Sequence, residues 1–354
     1  MNSFTEVIQK ISRGEKLSKD LTREEAKQAL EWVFSGRASD FQIGAFFAAL
    51  RMKGESAEET AGFVDAVRER SPAFHSELKN IVDFGEPYDG KTKTFHLTVP
   101  IALILAASGV PVVLHSTPEM PVKRGIETQR VLEALGVKIM GDRRGGVTPP
   151  LPQILEQEKI VFLPTEELIP DYAKLRPYRE AFGLRPFLNH IEKIFNLSRA
   201  TTQMVGIYHR PYLEPMTNAL VLLGTPKIFV IQGVEGFTEL FISRKTLVYS
   251  NSADVGGIHW LDPREFGLEG EEEIFNQDAT RHAARILELL KGATGNARTS
   301  ILWNAGVKLY WMNQAQDIRT GIEQAREILD SGKALGKLES FKNATQEKAH
   351  SEKI

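Results

Sequence analysis

The chain has 354 residues, 42% of them hydrophobic and 25% charged, with no cysteine and a formal net charge of −2. That length supports a large core divided into two domains, the missing thiol excludes disulfides, thiolate metal sites and a cysteine nucleophile, and near-neutrality excludes a global field drawing the protein onto nucleic acid. No run reaches the roughly eighteen apolar residues of a membrane span, and residues 1–10 lack the basic-then-apolar order of a signal peptide, so a cytoplasmic protein with no membrane partner is expected.

From Leu21 to Arg70 the pattern is helical three times over. Thr22 and Glu25 read as a capping box, after which Ala26, Ala29, Leu30 and Val33 recur at helical spacing. A second helix begins near Asp40, with Ile43, Phe46, Phe47 and Leu50 on its apolar face. Gly54 ends it, and Ser56 with Glu59 forms the capping box of a third.

After Pro72 short apolar strands alternate with helices, the signature of a parallel sheet with crossover helices. Strands are predicted at 81–84, 110–114, 137–140, 160–163, 203–207 and 227–231, with a further pair around Phe241 and Val248. Helices are predicted at 99–107, apolar nearly all round, and at 127–135 and 212–223. Residues 141–152 read as a Gly- and Pro-rich turn. Residues 271–273 read as an exposed acidic loop, and helices at 280–290, 301–311 and 320–329 precede a polar tail. The fold class is α/β, with a helical N-terminal part and a central, mostly parallel sheet.

The stretch from Val82 to Thr98 lies where a strand gives way to a loop and then a helix, the usual seat of an anionic ligand in such a fold. Glu86 adds a negative charge there and Pro87 deletes an N–H donor, so a phosphate is held less well than in a glycine-rich loop. Two further features invite a site. Lys174, Arg176, Arg179, Arg185, Lys193 and Arg199 make the segment around 171–199 locally basic, which is a solvated helix face or one wall of a binding cleft. Tyr208 and Tyr212 flank His209-Arg210-Pro211 and either stack on bases or, as the strand-to-helix turn predicts, pack into the core.

The run Gln42-Ile43-Gly44-Ala45-Phe46, with Leu50-Arg51-Met52-Lys53-Gly54-Glu55, Val131-Leu132-Glu133-Ala134-Leu135-Gly136, Leu213-Glu214-Pro215-Met216 and Ser331-Gly332-Lys333-Ala334, resembles the anthranilate phosphoribosyltransferase family over roughly residues 5 to 340. The resemblance implies a helical domain of residues 1–74 joined by inserted helices at about 169–197. It also implies a larger α/β domain from 75–168 and 198–342, with a polar tail at 343–354. It further implies a homodimer paired through the helical domain, and transfer of ribose 5-phosphate from phosphoribosyl pyrophosphate to anthranilate with magnesium.

Carried over residue by residue, the family's G-T-G-G-D loop falls on Gly85, Glu86, Pro87, Tyr88 and Asp89, and only the first and last match. Its T-F-N-I-S-T becomes Thr94, Phe95, His96, Leu97, Thr98 and Val99. From its K-H-G-N-R and S-S-K-S-G runs, His115, Lys123 and Gly125 match, with Arg124 beside them. The magnesium-holding D-E pair falls on Thr238 and Glu239, which leaves Glu239 as the one candidate metal ligand if transferase activity is retained. The acceptor arginine falls on Arg179, with Asn189 also matching; that guanidinium grips a ligand's carboxylate or phosphate, or forms a salt bridge with a helix carboxylate.

The departures are similar to a diverged bacterial subfamily of the same fold with nucleic-acid-binding members, matched by Tyr88, Asp89, Gly90, Lys93, Leu97, Thr98, Glu119, Pro121, Lys123, Glu127 and Thr128. Two readings follow. One is a binding protein for nucleic acid or another phosphate-bearing ligand, contacted by Gly85, Asp89, Lys91, Lys93, Thr98, His115, Lys123, Arg124, Arg179 and Asn189. Lys91, Lys93, Lys123, Arg124, Arg130, Arg143 and Arg144 would then face Arg176, Arg179 and Arg185 across a positive cleft. The other is a retained or altered phosphoribosyltransferase.

Overall fold

Each N-terminal helix opens on a side chain that takes the place of the missing turn. Thr22, Ser39 and Ser56 accept the N–H of the residue three ahead, and Glu25, Gln42 and Glu59 return the bond, satisfying donors a helix start leaves open. A computed structural model describes residues 3–14, 16–139, 150–253 and 255–346. In it α1 (Phe4–Ile11), α2 (Arg23–Phe34), α3 (Asp40–Lys53) and α4 (Ala57–Arg70) form a helical N-terminal domain. The first of these is a helix that the sequence reading missed, although Phe4, Val7, Ile8 and Ile11 recur at helical spacing.

The chain then builds β1 (Val82–Gly85), α5 (Thr98–Ala107), β2 (Val112–Ser116), α6 (Thr128–Ala134), α7 (Leu151–Glu158) and β3 (Ile160–Pro164). Four short helices follow, α8 (Thr165–Leu168), α9 (Pro170–Ala173), α10 (Arg176–Phe182) and α11 (Leu188–Ile191). They return to the N-terminal helices, where Phe187 meets Phe46, Phe47 and Phe63 with ring centroids 5.7, 5.7 and 4.3 Å away. The remainder is β4 (Thr202–Ile207), α12 (Leu213–Leu222), β5 (Lys227–Gln232), β6 (Thr246–Ser250), β7 (Gly257–Leu261), α13 (Ala279–Leu290), α14 (Asn296–Trp311), α15 (Ile318–Asp330) and α16 (Lys333–Gln346).

The seven strands form one sheet in the order β3-β2-β1-β4-β5-β6-β7, parallel from β3 to β5 and antiparallel at β6 and β7. The chain runs outward from β1 to β3 and then crosses back to β4 on the other side of β1. The C-terminal ends of β1 and β4 are therefore the switch point, where crossovers diverge and open a crevice. Gly85 ends β1 there because a Cβ would lie 2.1 Å from the Lys193 carbonyl oxygen. Helix α5 is buried from Thr98 to Ala106, in keeping with its uniformly apolar sequence.

Four sequence readings are corrected. Residues 137–139 form no strand: the Val137 N–H bonds to Leu132 at the end of α6 and the Lys138 N–H to Thr345 of α16. Phe241 is not in a strand either, since the N–H groups of Leu240, Phe241 and Ile242 are taken by Asn304, Thr246 and Glu272 side chains. β6 pairs instead with β7. Helix α7 starts within the stretch read as a turn, with Pro152 tolerated in its first turn. Lastly, α16 carries the chain to Gln346, past the predicted start of the polar tail, whose residues 347–354 lie outside the described ones. The acidic loop is also more engaged than its sequence suggests, with Glu272 bonded to Ile242 and Ser243 and Glu273 paired with Arg285. No helix among the described residues is long and apolar enough to cross a membrane.

Candidate functional site

β1 ends at Gly85, and the next residue places a carboxylate beneath the start of α5. Glu86 is buried, with both oxygens 2.8 Å from the Thr98 hydroxyl and one of them 2.9 Å from that of Thr238. Burial and the nearby charge of Glu239 push its carboxyl up to about 7, against the opposing pull of these hydroxyls and Lys91. Lys91 is buried too: its ammonium pairs with Glu239 and also donates to Thr94 Oγ1 at 3.1 Å and to the Phe95 carbonyl at 2.9 Å. Glu239 in turn accepts the Leu97 N–H at 2.9 Å.

A third carboxylate closes the loop from outside. Glu235, in the left-handed region at φ 51°, reaches the backbone of residues 92–94 and the Lys123 ammonium at 2.9 Å. Burial raises its carboxyl, but Lys123 and the N–H groups of Thr92 and Thr94 outweigh burial and hold it down at about 2.

A fourth carboxylate answers the arginine that the resemblance assigns to the acceptor. Arg179 is buried and its Nη1 lies 2.7 Å from Glu192 and 2.8 Å from the Tyr172 hydroxyl, so it makes the salt bridge with a helix carboxylate. His115 is equally enclosed, with Nε2 3.2 Å from Asp83 and Nδ1 2.7 Å from the Tyr88 hydroxyl, which also meets Thr165. His96 is buried against Phe237 and His282, its ring nitrogens without hydrogen bonds, and burial holds it well below the usual range for a histidine.

What stays open is a cavity of about 210 Å³ at the switch point. Asp89, Asn189 and Lys193 line it from the inner side, and Arg51, Arg185, Tyr208 and Tyr212 stand at its rim. Lys193 donates to the Gly206 carbonyl at 2.9 Å, and burial lowers its ammonium to about 8. Arg185 pairs with Asp89 at 2.6 Å and Arg51 donates to the Arg185 carbonyl at 2.7 Å. Tyr208 is 57% exposed and Tyr212 42%, so neither packs into the core. Their rings are backed by His209 and His190, at 4.6 and 4.7 Å.

The structure thus divides the sequence candidates. Asp89 and Asn189 face the cavity, with Gly85 behind them, while Lys91, Thr98, His115 and Arg179 are enclosed with internal partners. Lys123 and Arg124 are paired with Glu235 and Glu180, Arg176 with Glu166, and Arg130 lies 3.8 Å from Glu119. Lys93 is exposed and gives its N–H to Glu235. Arg143 and Arg144 lie outside the described residues. The basic loops therefore arrive already matched by carboxylates.

Magnesium does not fit the residues present. Glu239 is committed to an ammonium and a backbone N–H, its neighbour is Thr238, and the described residues contain no cluster of three or more His, Asp or Glu able to hold a metal. Sequence reasoning missed Glu235 and Glu192 as site residues. Glu235 acts on partners distant in the chain, while Glu192 meets Arg179 and Tyr172, 13 and 20 residues before it, across short helices whose packing the residue pattern does not give.

A family model described as the a/b domain of a glycosyl transferase family matches residues 88–335, and one for the helical bundle domain of that family matches residues 5–71. The anthranilate phosphoribosyltransferase of Xanthobacter autotrophicus is 32% identical over 345 residues, covering 96% of each chain. An uncharacterized protein of Aquifex aeolicus is 29% identical over 325 residues, 91% of this chain and 97% of that one. The crystal structure of anthranilate phosphoribosyltransferase from Thermus thermophilus superposes with a TM-score of 0.83 at 26% identity, covering 98% of this chain and 100% of that chain. The Saccharomyces cerevisiae enzyme in complex with PRPP and Mg gives the same TM-score at 20% identity, a likeness of fold alone.

Two substitutions test the buried carboxylates. Removing the Glu192 charge strands Arg179, so Glu192→Gln costs about 3–5 kcal/mol in urea unfolding, while Arg179→Met with Glu192→Leu recovers most of it. An equal loss in the double variant contradicts the pairing. Because the folded Glu86 carboxyl holds its proton up to about 7 against an ordinary 4.5, its contribution is present below 4.5 and is lost as pH rises through about 7. Glu86→Gln is therefore expected to melt above the wild type at about pH 8 and level with it at about pH 4.5. A gain that does not change with pH contradicts the assignment.

Proposed function

This chain belongs to the glycosyl transferase family that contains the anthranilate phosphoribosyltransferases, and from that premise we propose that it binds a phosphate-bearing ligand, single-stranded nucleic acid, instead of carrying out standard anthranilate transfer. The observation that carries this reading is the occupation of the inherited site by the chain's own carboxylates. Glu86 lies in the loop the resemblance gives to pyrophosphate, and Glu192 lies on the arginine it gives to the acceptor. An incoming anion there must displace a buried, hydrogen-bonded carboxylate, which costs several kcal/mol before any contact is gained.

The open cavity has a different character. Two exposed tyrosines stand beside Arg51 and Arg185, a combination that stacks bases and follows a phosphate backbone with little regard to sequence. With most cations already paired, the electrostatic share is modest and stacking carries more of the affinity than in a strongly basic groove.

A second reading, phosphoribosyl transfer to anthranilate or a related acceptor, is supported by the full-length similarity to anthranilate phosphoribosyltransferases and by Asp89 and Asn189 at the cavity. It requires Glu239 to leave Lys91 before magnesium enters.

A single-stranded oligonucleotide of about 20 nucleotides is expected to shift in a gel at low salt and to lose only about tenfold in affinity by about 0.2 M salt. Tyr208→Ala with Tyr212→Ala is expected to weaken binding by about tenfold or more. The absence of a shift at low salt, or a shift indifferent to the tyrosines, overturns the reading.

A further inference from the structure

The backbone between β1 and α5 gathers donors around one point. Three successive N–H groups, of Thr92, Lys93 and Thr94, lie 3.1, 3.0 and 2.9 Å from Glu235 oxygens. The hydroxyls of Thr94 and Thr92 approach at 3.0 and 3.4 Å, and the Lys123 ammonium completes the set at 2.9 Å. Thr94 Oγ1 also accepts from Lys91, so its own hydrogen is free to point at the same anion.

Consecutive N–H groups turned to one side form a concave anion nest. The six donors just named exceed the roughly four lone-pair sites of a carboxylate, whereas a tetrahedral phosphate offers more oxygens in three dimensions. The match is thus better to phosphate than to the carboxylate now seated there.

Glu235 comes from a loop that is distant in sequence. It sits between Gly233 and Gly236, itself in a left-handed conformation, with Gly236 at φ 83°. The residue also lines the open cavity, as do Pro87 and Asp89, so it belongs both to the nest and to the cavity wall. Lys93 beside it is exposed. The buried Glu86, Lys91 and Glu239 network meets the Glu235 carboxylate through Thr94 Oγ1, which accepts from Lys91 and donates to Glu235.

We propose that residues 92–94 with Lys123 form a phosphate-binding site that Glu235 occupies as an internal stand-in, and that a phosphate group takes the nest when this carboxylate is withdrawn. Glu235 is then a latch on the cavity: while seated it keeps the nest shut, and a ligand phosphate entering the cavity competes with it for the same donors. The inference rests on the reading above only for the natural ligand. Inorganic phosphate probes the nest itself, so a failed nest and a failed nucleic-acid reading give different results.

The test is calorimetric titration of inorganic phosphate in a chloride buffer into full-length wild type, Glu235→Ala and Glu235→Ala with Lys123→Met, with a phosphate-dependent rise in melting temperature as a second readout. Glu235→Ala is expected to bind phosphate at least about tenfold more tightly than the wild type, and adding Lys123→Met to cut that gain by about fivefold. If Glu235→Ala does not fold, Glu235→Gly, which also empties the nest and suits the left-handed φ of 51° at this position, carries the same comparison. A folded variant binding phosphate no better than wild type overturns the proposal, as does a gain that survives loss of Lys123.

Discussion

The site depends on one electrostatic requirement: donors and cations gathered at the ends of β1 and β4 must be met by an anion. Crossovers that diverge at the switch point aim backbone N–H groups and helix starts into one crevice, and the segment following α9 adds arginines from the facing side. In this chain that part falls to its own carboxyl groups. Glu86 is held by Thr98 and Thr238, Glu239 by Lys91 and the Leu97 N–H, Glu235 by residues 92–94 and Lys123, and Glu192 by Arg179. Once these are in place little positive charge remains uncompensated inside the crevice.

That arrangement decides what the cavity is suited for. Buried pairs of this kind add little stability beyond an apolar packing of equal volume, but removing one member is costly, so they fix geometry. They hold the loop after β1 closed over α5, and ligand-sized space remains on the side of Asp89, Asn189, Tyr208 and Tyr212. Aromatic faces and the exposed Arg185 border that space, while the enclosed groups shape its wall.

Much of this was legible in the residues. The capping boxes at Thr22 and Ser56 announce their helices locally, and the alternation after Pro72 announces the parallel sheet. Glu86 and Pro87 declare that the phosphate loop had changed. Glu235 was not legible because its donors lie more than 110 residues away in the chain, and Arg179 left two readings open that only the position of Glu192 separates. Tyr208 and Tyr212 read as core because they flank a strand-to-helix turn, yet the short turn at Pro211 presents both rings outward. The strand predicted at 137–140 failed because apolar residues there serve the junction of α6 with α16.

The central claim, that internal carboxylates have taken the place of the inherited ligands, is tested most directly by titrating phosphoribosyl pyrophosphate with magnesium into the wild-type protein while following anthranilate fluorescence. The account predicts no saturable heat up to about millimolar ligand and no loss of fluorescence. Binding at about micromolar ligand together with magnesium-dependent consumption of anthranilate would contradict it.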